Sequence, residues 1–313
     1  KKVWLIIGLI VVSALGGVYD RFTPDHGSLS TVHVMPKPSV MVIPIEGMIT
    51  GSGSDWQSSM VDAISDQLLE AEVSKSVKAV VLRINSPGGT VGASQEIYAT
   101  LMRFKHTTKK PVVVSIMDIG ASGAYWIALA GDHIFAQPGS MVGSLGVIAQ
   151  TLDLTRVPEK YGVDVRTYKA GVHKDLLNPW RTPSKDDKWL IQKMLDTVHR
   201  QFKAALIERR GVSNNQANIL ADGRIYAGED AVAQQLVDAL GGLHEAVQYA
   251  GSLVNVEDPH VVYPNQGVRD WLQSLRASVQ PQVFRGGRLH SNSVHCTPHH
   301  VSQLMANGHN IWL

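Results

Sequence analysis

Cysteine is nearly missing from this chain. Cys296 is the only one in 313 residues, so no intramolecular disulfide framework can hold the fold together. Charge is sparse as well. Lysine and arginine number 29 against 27 acidic residues, a formal net charge of +2, and no basic block stands out. The electrostatic footprint of a nucleic-acid binder is absent, and no nucleic-acid partner is expected. The sequence has no H-E-x-x-H, no C-x-x-C and no P-loop G-K-[ST], the usual signs of a metal site or a nucleotide-phosphate cradle. No metal site or other cofactor is expected.

One long apolar run is present at the start. Lys1-Lys2 precede Val3–Tyr19, which carries no charge and reaches the minimum length for a helix that spans a bilayer. Residues 1–19 read as a transmembrane anchor. The leading lysines favour keeping that end in the cytoplasm. A cleavable signal ending near Ala14-Leu15-Gly16 is the competing reading. Either way the remainder is expected outside the cytoplasm, at the cell (inner/plasma) membrane. Residues 20–39, polar and lacking periodicity, read as a tether.

From residue 40 the pattern alternates between strand and helix. Strands are expected at Val40–Ile45, Val77–Ile84, Val112–Ile116, His133–Ala136, Ser144–Ile148 and Val163–Lys169. Helices are expected at about 58–73, 93–104, 184–210, 214–220 and 228–240. The long helix has Ser184 as N-cap, Asp187 at the capping-box position and Leu190, Met194, Val198 and Phe202 as its apolar stripe. This alternation predicts an α/β fold of parallel βαβ units over 40–251. Residues 252–280 form an extension with a short amphipathic helix marked by Val268, Trp271, Leu272 and Leu275. Residues 281–313, with five histidines and Cys296, read as a flexible tail.

The chain is organised around Ile116–Ile148. A buried strand there runs into Gly120-Ala121-Ser122-Gly123-Ala124 and then an apolar helical segment. A serine at such a junction sits where free N–H groups gather and negative charge is stabilised, which suits a nucleophile and an oxyanion hole. It is not the lipase-type elbow G-x-S-x-G, since glycine directly follows Ser122 and Ala124 stands where that motif needs glycine. A second glycine loop, Asn85-Ser86-Pro87-Gly88-Gly89, closes the strand before it at its C-terminal edge, where open α/β sheets place their sites.

INSPGG (84–89), M-D-x-G-A-S-G-A-Y (117–125) and A-x-P-G-S-x-x-G-S-L-G-V (136–147) together resemble the S49 peptidases. So do AGVHKD (170–175), NPWR (178–181), LADGRIYAGEDAV (220–232) and LVDALGG (236–242), in consistent order over about 40–251. The resemblance is to the short, single-domain signal peptide peptidases. It implies a ClpP/crotonase-like fold and a serine–lysine dyad, with Ser122 as nucleophile and Lys174 as general base. It places Gly88, Gly89 and Gly123 at the oxyanion hole. It also implies hydrophobic peptide substrates such as signal-peptide remnants, and a homo-oligomeric ring with the site at the subunit interface. Relatives commonly read S-G-G-Y-Y where this chain has Ser122-Gly123-Ala124-Tyr125-Trp126.

The chemistry is consistent with a dyad. A serine hydroxyl attacks only when a neighbour takes its proton, and lysine can do so when burial penalises its charged form. His173 is the competing base, and side-chain chemistry alone would favour it. If residues 172–174 were extended, only one of His173 and Lys174 could face Ser122. Lys160, Lys169 and Lys185 are expected to be solvated. Ser144 is expected either to bond within the site or to cap a turn. Asp222, Arg224 and Tyr226 are expected to brace a nearby loop, Asp222 and Arg224 as a buried pair that is structural rather than catalytic. Two other classes stay open: a crotonase-type acyl-CoA enzyme, which would need a carboxylate over its substrate, and a non-catalytic membrane scaffold.

Overall fold

A computed structural model describes residues 37–53 and 59–264, and the backbone of 311–312. The apolar run at 3–19, the tether up to residue 36, the amphipathic helix expected near 268–275 and the histidine tail lie outside the described residues. No helix among the described residues is long and apolar enough to cross a membrane.

The folding logic starts with two βαβ units. Strand β1 (Ser39–Glu46) leads through helix α1 (Met60–Val73) to β2 (Val77–Ser86), and α2 (Val91–Thr108) then leads to β3 (Val112–Ala121). β1 pairs parallel with β2, and β2 with β3, as helical crossovers require. β2 is buried along most of its length, which explains its near-continuous apolar run. Ser59 caps α1 by accepting from Asp62 N at 3.1 Å. Val61, Ile64, Leu68 and Ala71 are the buried side of that helix.

β3 is the pivot of the sheet. Its first half pairs with β4 (His133–Ala136) and its second half with β5 (Met141–Gly143), both parallel. β7 (Ile225–Ala227) adds antiparallel to β5, while β8 (Ala239–Leu240) pairs with β4. The opposite edge is β9 (His260–Val262), parallel to β1 and C-terminal to Gly251. A short β6 (Ile148–Ala149) pairs antiparallel with β10 (Ile311–Trp312) in a separate two-stranded ladder. The result is a mixed α/β fold whose eight-stranded sheet is mostly parallel.

Both faces of the sheet are covered. On one, Val80, Leu82, Ile84, Val112, Val114 and Ile116 pack with α1, α2 and the serine-turn helix α3 (Gly123–Ala128). On the other, Val40, Val42, Ala79, Val81 and Val113 pack with Ala246, Val247 and Ala250 of helix α8 (Leu243–Ser252), which follows the short helices α4 (Val157–Tyr161), α6 (Asn214–Leu220) and α7 (Gly228–Ala233). Helix α3 is wholly buried. The Tyr125 hydroxyl donates to Leu236 O at 2.6 Å, and Trp126 stacks on Phe202 with centroids 4.6 Å apart. Phe202 belongs to α5 (Lys185–Arg210), so the long helix clamps the turn helix from outside. The capping box of Ser184 and Asp187 forms as the sequence indicates.

Several expected elements differ. No strand forms over 163–169, where every residue is exposed and, among the described residues, no strand pairs with it. The strand expected at 144–148 shrinks to β6, because Ser144 takes φ 53° and leaves the extended region. The helix expected over 228–240 stops at Ala233. Gln235 adopts φ 61° there, and Asp238 turns back to β4, accepting from Ile134 N at 2.7 Å. The apolar stripe of α5 is buried at Phe202 but only half-buried at Leu190, Met194 and Val198, so the first half of that helix runs past the core.

Candidate active site

Ser122 stands where β3 becomes α3, with φ 57° and ψ −124°. A side chain rarely adopts that combination, and holding one there stores strain of about 1–3 kcal/mol. The surroundings enforce it. Ser122 N donates to Gly143 O at 2.7 Å on β5, and Ser122 O accepts from Trp126 N at 3.0 Å in the first turn of α3. The residue is 6% exposed, and its Oγ has no hydrogen-bond partner among the described residues. A strained strand-to-helix serine is the geometry by which α/β-hydrolases present a nucleophile. It arises here without their G-x-S-x-G spacing.

Small residues make the turn possible. A Cβ on Gly123 would lie 2.3 Å from Ser94 Oγ and 3.3 Å from Gly89 N, so the two glycine loops are in contact. Ser94 is itself buried and donates from Oγ to Thr90 O. The Gly89 loop is threaded against Ile49: Ile49 N donates to Gly88 O at 2.9 Å and Thr90 N to Ile49 O at 2.8 Å. In a parallel bridge those bonds flank the central residue, whose own N–H faces the other way. The Gly89 N–H therefore faces away from Ile49, on the side where Gly123 lies. Gly123 N opens α3 and belongs to the free first turn of a helix. Gly88, at φ 102°, instead donates its N–H to Ser86 Oγ at 3.2 Å. Of the three expected oxyanion donors, the structure thus brings Gly89 and Gly123 together and shows Gly88 already engaged.

Ser144 follows Gly143, the residue that holds Ser122 N. Its own N–H donates to Arg224 O at 2.7 Å. Asp222 and Arg224 form an ion pair, with Arg224 Nε 2.8 Å from Asp222 Oδ2. The pair is not buried: the two side chains are 39% and 56% exposed. What braces the loop is the Arg224 carbonyl and the β5–β7 ladder, and the exposed pair caps its outer side. The Arg224 guanidinium holds the Asp222 carboxyl below the usual range.

Lys174 lies on a series of turns rather than an extended segment. Lys174 N donates to Gly171 O, Leu176 N to His173 O and Asn178 N to Asp175 O. The alternation expected of His173 and Lys174 therefore does not apply. Lys174 is exposed in the single chain, and no hydrogen bond joins it to Ser122 among the described residues. Its neighbours are tied down. Asp175 accepts from Arg181 Nε at 2.8 Å and from Lys169 Nζ at 2.7 Å. His173 Nδ1 lies 3.4 Å from Asp187 Oδ1. Lys169 is thus ion-paired rather than simply solvated, while Lys160 lies over the Tyr161 ring.

The sequence reading missed this network and the buried Ser94. It also missed Asn85, which links the two glycine loops by donating to Asp118 Oδ2 at 3.2 Å and accepting from Ile119 N at 3.2 Å. NPWR and the capping-box aspartate were visible, but their pairing across the turn was not.

Arg181 holds both Asp175 and Asp187 well below the usual carboxylate range, and Lys169 and the Ser184 main chain add to this respectively. A carboxyl depressed in the folded state contributes stability above its unfolded value near 3.9, and loses it as pH falls further. Thermal unfolding followed from pH 7 to pH 3 should therefore show a drop that begins near pH 4. That drop should be smaller in Asp187→Asn, whose neutral amide has no such proton to take up.

A profile of peptidase family S49 matches residues 105–257, and a Clp protease profile matches 46–155. A relative from Synechocystis sp. with a protease name is 37% identical over 187 residues, covering 60% of this chain and 67% of its own. The chain belongs to peptidase family S49. A Methanocaldococcus jannaschii relative with a protease name is 38% identical over 193 residues, 62% of this chain and 61% of that one. An Enterococcus faecium relative named for signal peptide peptidase SppA is 36% identical over 229 residues, 70% and 66%. The chain thus spans about three fifths to two thirds of these relatives. Ser122 and Lys174 lie within the residues the S49 profile matches, and both glycine loops within those the Clp protease profile matches.

Proposed function

We propose that this protein is a membrane-anchored serine endopeptidase in which Ser122 attacks the peptide carbonyl and Lys174 accepts its proton. The observation that carries this reading is Ser122 on its strained turn, with the main chains of Gly89 and Gly123 side by side next to it. Attack at a carbonyl develops negative charge on oxygen, and paired N–H groups fixed in place stabilise that charge without reorganising. Lys174 would serve as base once its ammonium is desolvated and loses its proton. Ser144, one residue beyond the main-chain partner of Ser122, is assigned the role of supporting that lysine.

In a single chain Lys174 faces solvent, so the reading includes a homo-oligomeric ring in which one subunit's Lys174 covers its neighbour's Ser122. Exposed apolar side chains support such an interface. Tyr168 is 90% exposed and Val172 76%, and Leu152, Tyr161 and Trp189 lie exposed nearby in sequence. The half-buried start of α5 belongs to the same region. The substrates we propose are hydrophobic peptides such as signal-peptide remnants, met at the cell membrane by a domain outside the cytoplasm. The uncharged run 3–19 behind Lys1-Lys2 supports the anchor.

A fluorophosphonate probe tests the chemistry. It should label Ser122 in the wild-type chain and label neither Ser122→Ala nor Lys174→Ala. Mixing the two inactive variants should restore part of the peptide hydrolysis. Labelling elsewhere would overturn the choice of nucleophile, and full labelling of Lys174→Ala would remove the lysine from its role.

A further inference from the structure

One arginine joins the turn that carries Lys174 to the start of α5. Arg181 donates from Nε to Asp175 Oδ2 at 2.8 Å, and from Nη2 to Asp175 Oδ1 at 2.9 Å and to the Asp175 main-chain oxygen at 3.1 Å. Its other nitrogen, Nη1, donates to Asp187 Oδ2 at 2.5 Å. Asp187 is 3% exposed, caps α5 by accepting from Ser184 N, and faces His173 Nδ1. Lys169 completes the ring by donating to Val172 O at 2.9 Å and to Asp175 Oδ1. Val172, His173 and Asp175 are therefore all fixed, while the Lys174 side chain has no partner among the described residues. Planar, bidentate guanidinium pairing of this kind fixes direction as well as distance, which a lysine in the same place cannot do.

We propose that Arg181 is a positioning residue that aims Lys174, by tying the adjacent Asp175 to Asp187 at the start of α5, the carboxylate that His173 also faces. This rests on the Ser122–Lys174 reading above. A base displaced by about 1 Å loses on the order of 100-fold in rate, so loosening this turn should slow the chemical step and spare substrate binding. A lysine that no longer reaches the serine turn of the neighbouring subunit proposed above stays in solvent, and so protonated to higher pH. The acid limb of the rate profile should then move upward.

The test uses the full chain, with Arg181→Met, Arg181→Lys and Asp175→Asn beside Ser122→Ala and Lys174→Ala. Asp175→Asn leaves the Ser184–Asp187 cap of α5 intact and so separates aiming from folding. Hydrolysis of a fluorogenic apolar peptide should show kcat lowered about 10- to 100-fold with KM unchanged in Arg181→Met and Asp175→Asn. The acid limb of kcat/KM should lie at higher pH in both, and raised pH should recover much of the rate. Arg181→Lys should recover thermal stability but not kcat. Wild-type kcat, or a loss with an unmoved acid limb, would overturn the proposal. Hydrolysis persisting in Ser122→Ala or Lys174→Ala would instead overturn the dyad itself.

Discussion

Ser122→Gly should be inert and more stable than the wild-type protein. Removing a hydrolase nucleophile costs on the order of 10⁴- to 10⁶-fold in kcat, and the oxyanion donors alone cannot replace it. The stability gain follows from the backbone. At φ 57° and ψ −124° a Cβ costs about 1–3 kcal/mol, whereas glycine reaches the same conformation freely. Against that stands the larger entropy glycine loses on folding, about 0.5–1 kcal/mol. The balance is a rise of about 1 kcal/mol, read from the denaturant midpoint at constant m. Ser122→Ala keeps the strain, so it should be equally inert with an unchanged midpoint. Hydrolysis surviving in either variant would place the nucleophile elsewhere. A lower midpoint in Ser122→Gly would show that the turn is not strained.

Gly89→Ala is expected to disrupt the site from the other side. A Cβ there would lie 1.9 Å from Ile49 O and 2.6 Å from Ile49 C and N. All three are main-chain atoms of a bridge that also holds Gly88 O and Thr90 N, so no side chain can rotate to relieve the contact. The loop must move as a unit, which carries the Gly89 N–H away from Gly123. Stability should fall by about 3 kcal/mol or more, and peptide hydrolysis should vanish even where the chain still folds. Gly92→Ala is the control, since a Cβ at Gly92 meets nothing within 4 Å. On the helix α2 it should be neutral or gain about 1 kcal/mol. Wild-type hydrolysis by Gly89→Ala would exclude its N–H from the site.

Much of the architecture is legible in the sequence because its causes are local. The apolar run of β2, the Ser184–Asp187 cap and the alternation of strands with helices depend on residues a few positions apart. The glycines at 88, 89 and 123 and the serine at 122 likewise announce a backbone that bends tightly and approaches itself. Where local signals misled, a longer-range contact had won. Val163–Lys169 has the composition of a strand but no edge to pair with, and Asp238 pulls 234–240 out of helix towards β4. The Asp222–Arg224 pair forms as neighbours do, but burial is a property of what covers it, and among the described residues the cover is only partial.

What the tertiary structure alone decided is which distant groups meet. Gly89 lies beside Gly123 because β2 and β3 are parallel neighbours that end at the same sheet edge, and strand register is not written in either loop. Ser122 N is held by Gly143 O on β5, and Arg181 joins Asp175, next to Lys174, to Asp187 at the cap of α5. Spacing and residue type determine what each segment can do. Hydrogen bonds between segments, whose formation depends on the whole packed core, determine what they do together.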